Sequence, residues 1–260
     1  MKAVYLPGNR KVEIRSVPIP VPGPDEVLLQ VKASCICRSD LSLYYGNAVV
    51  GGDAAGGCIT GHEPAGVVIE AGIAVKNFKP GDRVAVYLAV GCGVCARCRQ
   101  GNFHLCAQWK CLGFTQDGGN AEYLAVPERN LLRIPDSMSF VAAAISTDAF
   151  GTLYSACRKL GLSGATTVGI WGLGPMGSAG ILAAKALGAR VVALDPIAER
   201  RAFAGELGAD LTLDPTAADA AAHVIAFAGG EGLSAAIDCS GNGAAQNMAL
   251  DSLAPLGRAA

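Results

Sequence analysis

The chain has 260 residues, a formal net charge of -1, 51% hydrophobic residues and 17% charged ones. That length and apolar content fit two packed domains, and the mixed charges form no basic stripe of the kind nucleic acid requires. Gly, Pro or a charge interrupts every apolar run before membrane-spanning length, so a soluble globular protein with no membrane partner is expected.

Met1 to Leu6 runs at once into Pro7-Gly8, without the hydrophobic core of a signal peptide, so a cytoplasmic location is the expectation. In a reducing compartment, ten cysteines that cluster in sequence point to metal ligation rather than to disulfides.

Residues 2–6, 11–16 and 27–33 are short β-rich runs separated by turns, among them the Pro-rich stretch from Pro18 to Pro24. Further runs at 65–71, 83–86 and 122–126, with a turn at Lys79-Pro80-Gly81-Asp82, predict a compact β-barrel. Between the third and fourth runs lie Cys37-Arg38-Ser39-Asp40 and Gly61-His62-Glu63. A thiol, a hydroxyl, an imidazole and carboxylates are the groups that could surround one metal, although a Cys and a His this far apart prove nothing alone.

Cys92, Cys95 and Cys98 follow one another at spacings of three, and Cys106 comes after seven intervening residues. Four thiolates so arranged can close a tetrahedral zinc site without an open position, which is a structural site. Cys35, Cys58, Cys111, Cys157 and Cys239 lack this pattern and read as packing residues, as do Trp109 and Trp171.

Residues 140–160 read as largely helical and lead into a second domain. A buried strand at 166–171 runs into Gly172-Leu173-Gly174-Pro175-Met176-Gly177 and then a small-residue helix at 178–187, and the next strand, 191–194, ends in Asp195. Gly172, Gly174 and Gly177 permit the tight turn and the close approach of a pyrophosphate, with Pro175 and Met176 between them, and an acid about 20 residues on binds ribose hydroxyls. A carboxylate at 195 would repel a 2′-phosphate, which favours NAD over NADP. Helices at 200–207 and 244–253 and strands at 209–213 and 235–239 follow. A fold of this kind has about six strands, so the chain is expected to stop at Ala260 where a fifth strand should begin, leaving the nucleotide domain cut short.

With these motifs placed, the whole chain resembles the zinc-containing medium-chain dehydrogenase/reductase family of the alcohol, sorbitol and threonine dehydrogenase type. Asp117-Gly118-Gly119-Asn120-Ala121-Glu122-Tyr123 belongs to the same resemblance. It implies an α/β plus β architecture: a GroES-like β-barrel over residues 1–150 that carries two zinc ions, one catalytic and one structural, then an incomplete Rossmann domain over 151–260. Carried over by position, Cys37, His62 and Asp148 would be catalytic zinc ligands and Glu63 an alternative one. Two acids and a thiolate would over-neutralise zinc together, so Glu63 and substrate or water are expected to exchange. Asp40 would orient His62, Ser39 would take the substrate's proton, and Arg38 and Thr152 would meet the cofactor. Where some members place a relay histidine, this chain has Ser42.

The implied reaction is oxidation of a primary or secondary alcohol or polyol to a carbonyl, with hydride passing to NAD, in a homodimer or homotetramer in the full-length form. A carbonyl or polyol reductase differs only in substrate and direction, and the Gly-rich insert at 46–57 reads either as the determinant of that difference or as a plain loop. The rival from another class is a non-catalytic zinc-binding fragment.

Overall fold

A computed structural model describes residues 1–47 and 57–260. The chain divides into two units, residues 1–148 and 149–260. The insert read above as a specificity determinant or a plain loop falls mainly on residues 48–56, outside the described residues.

In the first unit the strands are β1 (Lys2–Tyr5), β2 (Glu13–Ser16) and β3 (Glu26–Ser34), followed by helix α1 (Arg38–Tyr45). Next come β4 (Pro64–Ala71), β5 (Arg83–Val86), β6 (Ala89–Val90), helix α2 (Ala96–Arg99), β7 (Lys110–Cys111), β8 (Tyr123–Pro127), β9 (Leu131–Arg133) and helix α3 (Phe140–Ile145). Strands pair antiparallel in the order β8-β3-β4-β5-β9. Alternate residues of these strands point to one side: Val27 and Leu29, Val84 and Val86, and Leu124 and Val126 meet there with Val68, Val90, Leu112 and Leu131, as the two-residue strand period requires. Two register shifts in the β3–β4 pair increase the local twist just before the segment that carries Cys37.

The second unit opens with helix α4 (Gly151–Leu160) and continues with β10 (Thr167–Trp171), α5 (Pro175–Ala186), β11 (Arg190–Leu194), α6 (Ala198–Glu206) and β12 (Leu211–Leu213). Helix α7 (Ala220–Phe227), β13 (Leu233–Asp238), α8 (Gly243–Asp251) and β14 (Leu253–Ala259) complete it. All five strands are parallel, in the order β12-β11-β10-β13-β14, the 3-2-1-4-5 sequence of a dinucleotide-binding sheet. The three central strands, β10, β11 and β13, bury both faces, as parallel sheets do. Val168, Ile170, Val191, Ala193, Ala235 and Ile237 pack with Leu153, Ile181 and Ala204 on one side. Trp171, Val192, Leu194, Leu233 and Ala236 pack with Val224 and Ala249 on the other.

The structure corrects one expectation here. Helix α8 ends at Asp251 and residues 253–259 form the fifth strand, paired with β13 through Leu233↔Leu253, Ala235↔Arg258 and Ala236↔Ala259. Pro255 and Gly257 argue against a strand in sequence, but an edge strand tolerates Pro, and the register shift between Leu233 and Ala235 absorbs the irregular backbone around Leu256, whose φ is 67°.

Candidate functional site

Cys37 caps the N-terminus of α1 with extended backbone, and Asp40 Oδ2 accepts its amide hydrogen at 2.9 Å. This closure by an acid in the first helical turn fixes Cys37 and places Ser39 beside it. Asp148 comes from a π-helical turn, Ser146–Phe150, a wide turn often found at functional sites.

These segments bring four predicted ligands together: the donor atoms of Cys37, His62, Glu63 and Asp148 all lie within 4.8 Å of one another. His62 Nε2 stands 3.4 Å from Asp148 Oδ2, 3.7 Å from Glu63 Oε1 and 3.5 Å from Ser39 Oγ, and Cys37 Sγ is 3.8 Å from Asp148 Oδ2. The other ring nitrogen, Nδ1, is turned towards Asp40. His62 and Glu63 are only 2% and 3% exposed.

Burial lowers the His62 pKa, but hydrogen bonds to Asp148, Asp40 and Cys37 outweigh it and push it up to about 12. Burial first, and then the charge of Asp148, pushes Glu63 up to about 7. Burial and the crowding of acidic groups around one imidazole thus raise both His62 and Glu63. One sulfur, one imidazole nitrogen and carboxylate oxygens converging with Nε2 inward form a donor set that fits zinc.

A second cluster joins Cys92, Cys95, Cys98 and Cys106, again with all donor atoms within 4.8 Å. The amides of Cys95 and Gln108 donate to the Cys92 and Cys106 sulfurs, each at 3.4 Å. Backbone hydrogen bonds from Val94 and Cys95 lower the Cys92 thiol to about 6, towards the thiolate that ligation needs. Four sulfurs without a weaker donor fit a closed structural zinc site.

In the second unit, Gly172 follows β10 with a φ of 85°, and a β-carbon there would lie 2.6 Å from the Ser240 amide nitrogen. Only glycine makes this turn without strain. Gly174 caps α5 and Pro175 occupies its first turn, so the helix opens three residues earlier than the sequence reading placed it. A β-carbon on Gly177 would collide with the carbonyl of Gly172, and Met176 packs against the core. Asp195 is 2% exposed; its carboxylate accepts the Leu173 amide at 2.8 Å, the Ile197 amide at 2.9 Å and Arg200 Nη1 at 3.3 Å. A carboxylate has about four acceptor sites, so capacity for a further donor remains. Arg200 is a residue that sequence reasoning passed over as an ordinary helix position.

Arg38 is exposed in the first turn of α1, and Thr152 is exposed in the first turn of α4. Cys111 and Cys157 are buried, as is Trp171, and burial raises the Cys58 thiol to about 11 and the Cys239 thiol to about 12, in keeping with packing roles.

The profile of the family described as "Alcohol dehydrogenase GroES-like domain" matches residues 23–136, and that of "Zinc-binding dehydrogenase" matches 175–260. The chain is 38% identical to an uncharacterized zinc-type alcohol dehydrogenase-like protein, YphC, of Escherichia coli strain K12, over 99% of this chain and 75% of that protein. It is 35% identical to an L-threonine 3-dehydrogenase of Pyrococcus horikoshii, over 95% and 70%. Among solved structures, an NAD-dependent alcohol dehydrogenase matches with a TM-score of 0.92 at 31% identity, over 100% of this chain and 76% of that one. A zinc-binding dehydrogenase from Sinorhizobium meliloti bound to NADP matches with 0.86 at 32%, over 99% and 75%.

Proposed function

The chain belongs to the zinc-type alcohol dehydrogenase family of medium-chain dehydrogenases and is an oxidoreductase, and from that premise we propose that it oxidises a primary or secondary alcohol or polyol, with NAD as hydride acceptor, through residues of the Cys37–His62 cluster. The observation that carries this reading is the convergence of Cys37, His62, Glu63 and Asp148 with the Ser39 hydroxyl 3.5 Å from His62 Nε2. In this reading Cys37, His62 and Asp148 hold one zinc ion, and Cys92, Cys95, Cys98 and Cys106 hold a second.

A zinc ion held by Cys37, His62 and Asp148 would supply Lewis acidity, and because zinc is redox-inert a nicotinamide would be the hydride acceptor. Ser39 Oγ accepts the substrate's hydroxyl proton while giving up its own, and with Ser42 in place of a histidine the proton leaves through water. Asp40 holds His62 in the tautomer with Nε2 free to ligate. Glu63, beside Nε2, would be the alternative ligand to that metal. In the second unit the first-turn amides of α5 bind the pyrophosphate, and Asp195 receives ribose hydroxyls and disfavours a 2′-phosphate, which supports NAD as the preferred cofactor. Homodimeric or homotetrameric assembly of the full-length form is taken from the resemblance; no described helix is long and apolar enough to cross a membrane.

The test is alcohol-dependent reduction of NAD by the purified chain across a panel of primary, secondary and polyhydroxy alcohols. Reduction that is abolished in His62→Ala supports the reading. Equal rates in His62→Ala and the parent overturn it.

A further inference from the structure

The stretch Asp117–Asn120 has no part in the chemistry above, yet it runs alongside residues 59–61, immediately before His62. The amides of Gly118, Gly119 and Asn120 donate to the carbonyls of Ile59, Gly61 and Thr60 at 2.8, 2.7 and 2.8 Å, and Asp117 Oδ1 accepts the Ile59 amide at 2.9 Å.

The Asn120 side chain bonds to both chain segments that lead into the ligand cluster. Its Nδ2 donates to Thr60 Oγ1 at 3.1 Å, and its Oδ1 accepts the Ser34 hydroxyl at 2.7 Å. Thr60, 2% exposed, passes its own hydroxyl hydrogen to the Val4 carbonyl at 3.2 Å. Ser34 ends β3, and the next amide, that of Cys35, donates to the Glu63 carbonyl at 3.2 Å. One carboxamide therefore ties the strand leading to Cys37 to the segment leading to His62 and Glu63. Gly61 confirms how closely it is seated: φ there is 94°, and a β-carbon would collide with Asn120 Oδ1.

We infer that Asn120 is a positioning residue for the metal cluster, setting the spacing between Cys37 and His62 through Ser34 and Thr60. The inference rests on reading that cluster as a zinc site. Zinc affinity depends on donors held at fixed separation, and side chains that hold ligands in place commonly matter to it roughly ten- to a hundredfold.

The experiment titrates zinc out of the purified chain with a chromogenic chelator, for the parent and for Asn120→Ala, and records the ligand-field spectrum after cobalt replaces zinc. Asn120→Ala is expected to weaken zinc at Cys37–His62 by roughly ten- to a hundredfold, to shift the cobalt spectrum of that site, and to leave the zinc on Cys92, Cys95, Cys98 and Cys106 unchanged. Ser34→Ala and Thr60→Val each remove one arm of the tie and carry the same prediction in smaller measure should Asn120→Ala not fold. Adding Ser34→Ala to Asn120→Ala should change nothing further. Parent-like affinity and an unmoved cobalt spectrum in the variants, with only the melting temperature lowered, would overturn the positioning role while leaving the zinc site standing. A parent chain that binds zinc at the four cysteines alone would overturn the reading of the cluster and this inference with it.

Discussion

Asp40 Oδ1 stands 3.6 Å from His62 Nδ1, and both atoms are buried without a hydrogen-bond partner among the described residues, so each faces the other alone. The other oxygen of the same carboxylate is held by the Cys37 amide, so one acid caps the helix that begins after one proposed ligand and faces the ring of another. Asp40→Asn is isosteric and can keep the cap, but it loses the negative charge that fixes the imidazole tautomer. Its expected effect is a roughly 10- to 100-fold fall in kcat/KM and in zinc affinity, with little change in melting temperature, measured by steady-state kinetics and chelator competition.

Ser39→Ala removes the hydroxyl beside His62 Nε2 without touching any of the four proposed ligands. Zinc content should stay at the parent value while kcat falls by about 10²- to 10⁴-fold, the range for losing a positioned proton-transfer group. Metal analysis of the same preparation used for kinetics checks both halves of this expectation.

For cofactor choice, Asp195→Asn keeps the size of the side chain and gives up one of the two oxygens that accept the Leu173 and Ile197 amides, while removing the charge that opposes a 2′-phosphate. The ratio of kcat/KM for NADP to that for NAD should rise by about tenfold or more, equivalent to about 1.4 kcal/mol. An unchanged ratio would remove Asp195 from the discrimination.

Acid stability has an identifiable contributor in the second unit. Burial pushes the Asp210 carboxyl up, but hydrogen bonds from Lys185 Nζ at 2.9 and 2.8 Å and from the Val191 amide at 2.7 Å outweigh it and hold it below its ordinary 3.8. A carboxyl depressed in the folded state contributes stability that is fully present above the unfolded pKa and is lost as pH falls through the folded one. Lys185→Met should therefore lower the melting temperature at pH 7 and lose less stability than the parent on acidification below about pH 4. The pair is partly exposed, so the difference is expected to stay under about 1 kcal/mol; melting curves across that pH range measure it.

Local patterns carried most of what the sequence disclosed. The four-cysteine spacing and the glycine turn each fold within a short stretch, and the alternation of Val27, Leu29 and Val31 reads directly as one face of a strand. Pro175 could have placed the start of α5 correctly, since proline is favoured in a first helical turn. Other features were hidden for physical reasons. In α7, Ala220–Phe227 is apolar nearly throughout and offers little contrast between faces. In β14, Pro255 and Gly257 mask a strand that only its pairing with β13 supports. The Asn120 tie to Ser34 spans 86 residues, and the proximity of Asp148 to Cys37 spans 111; separations of that size are set by the fold and leave no local trace, so Asp148 was reached only through resemblance.

The two proposed zinc sites are separable by measuring zinc bound per chain in Cys37→Ala and Cys95→Ala beside the parent. About two zinc ions are expected in the parent, about one in Cys37→Ala with the fold intact, and a Cys95→Ala protein that has lost the lobe zinc. About one zinc per chain in the parent, retained in Cys37→Ala and lost in Cys95→Ala, would contradict the presence of two sites.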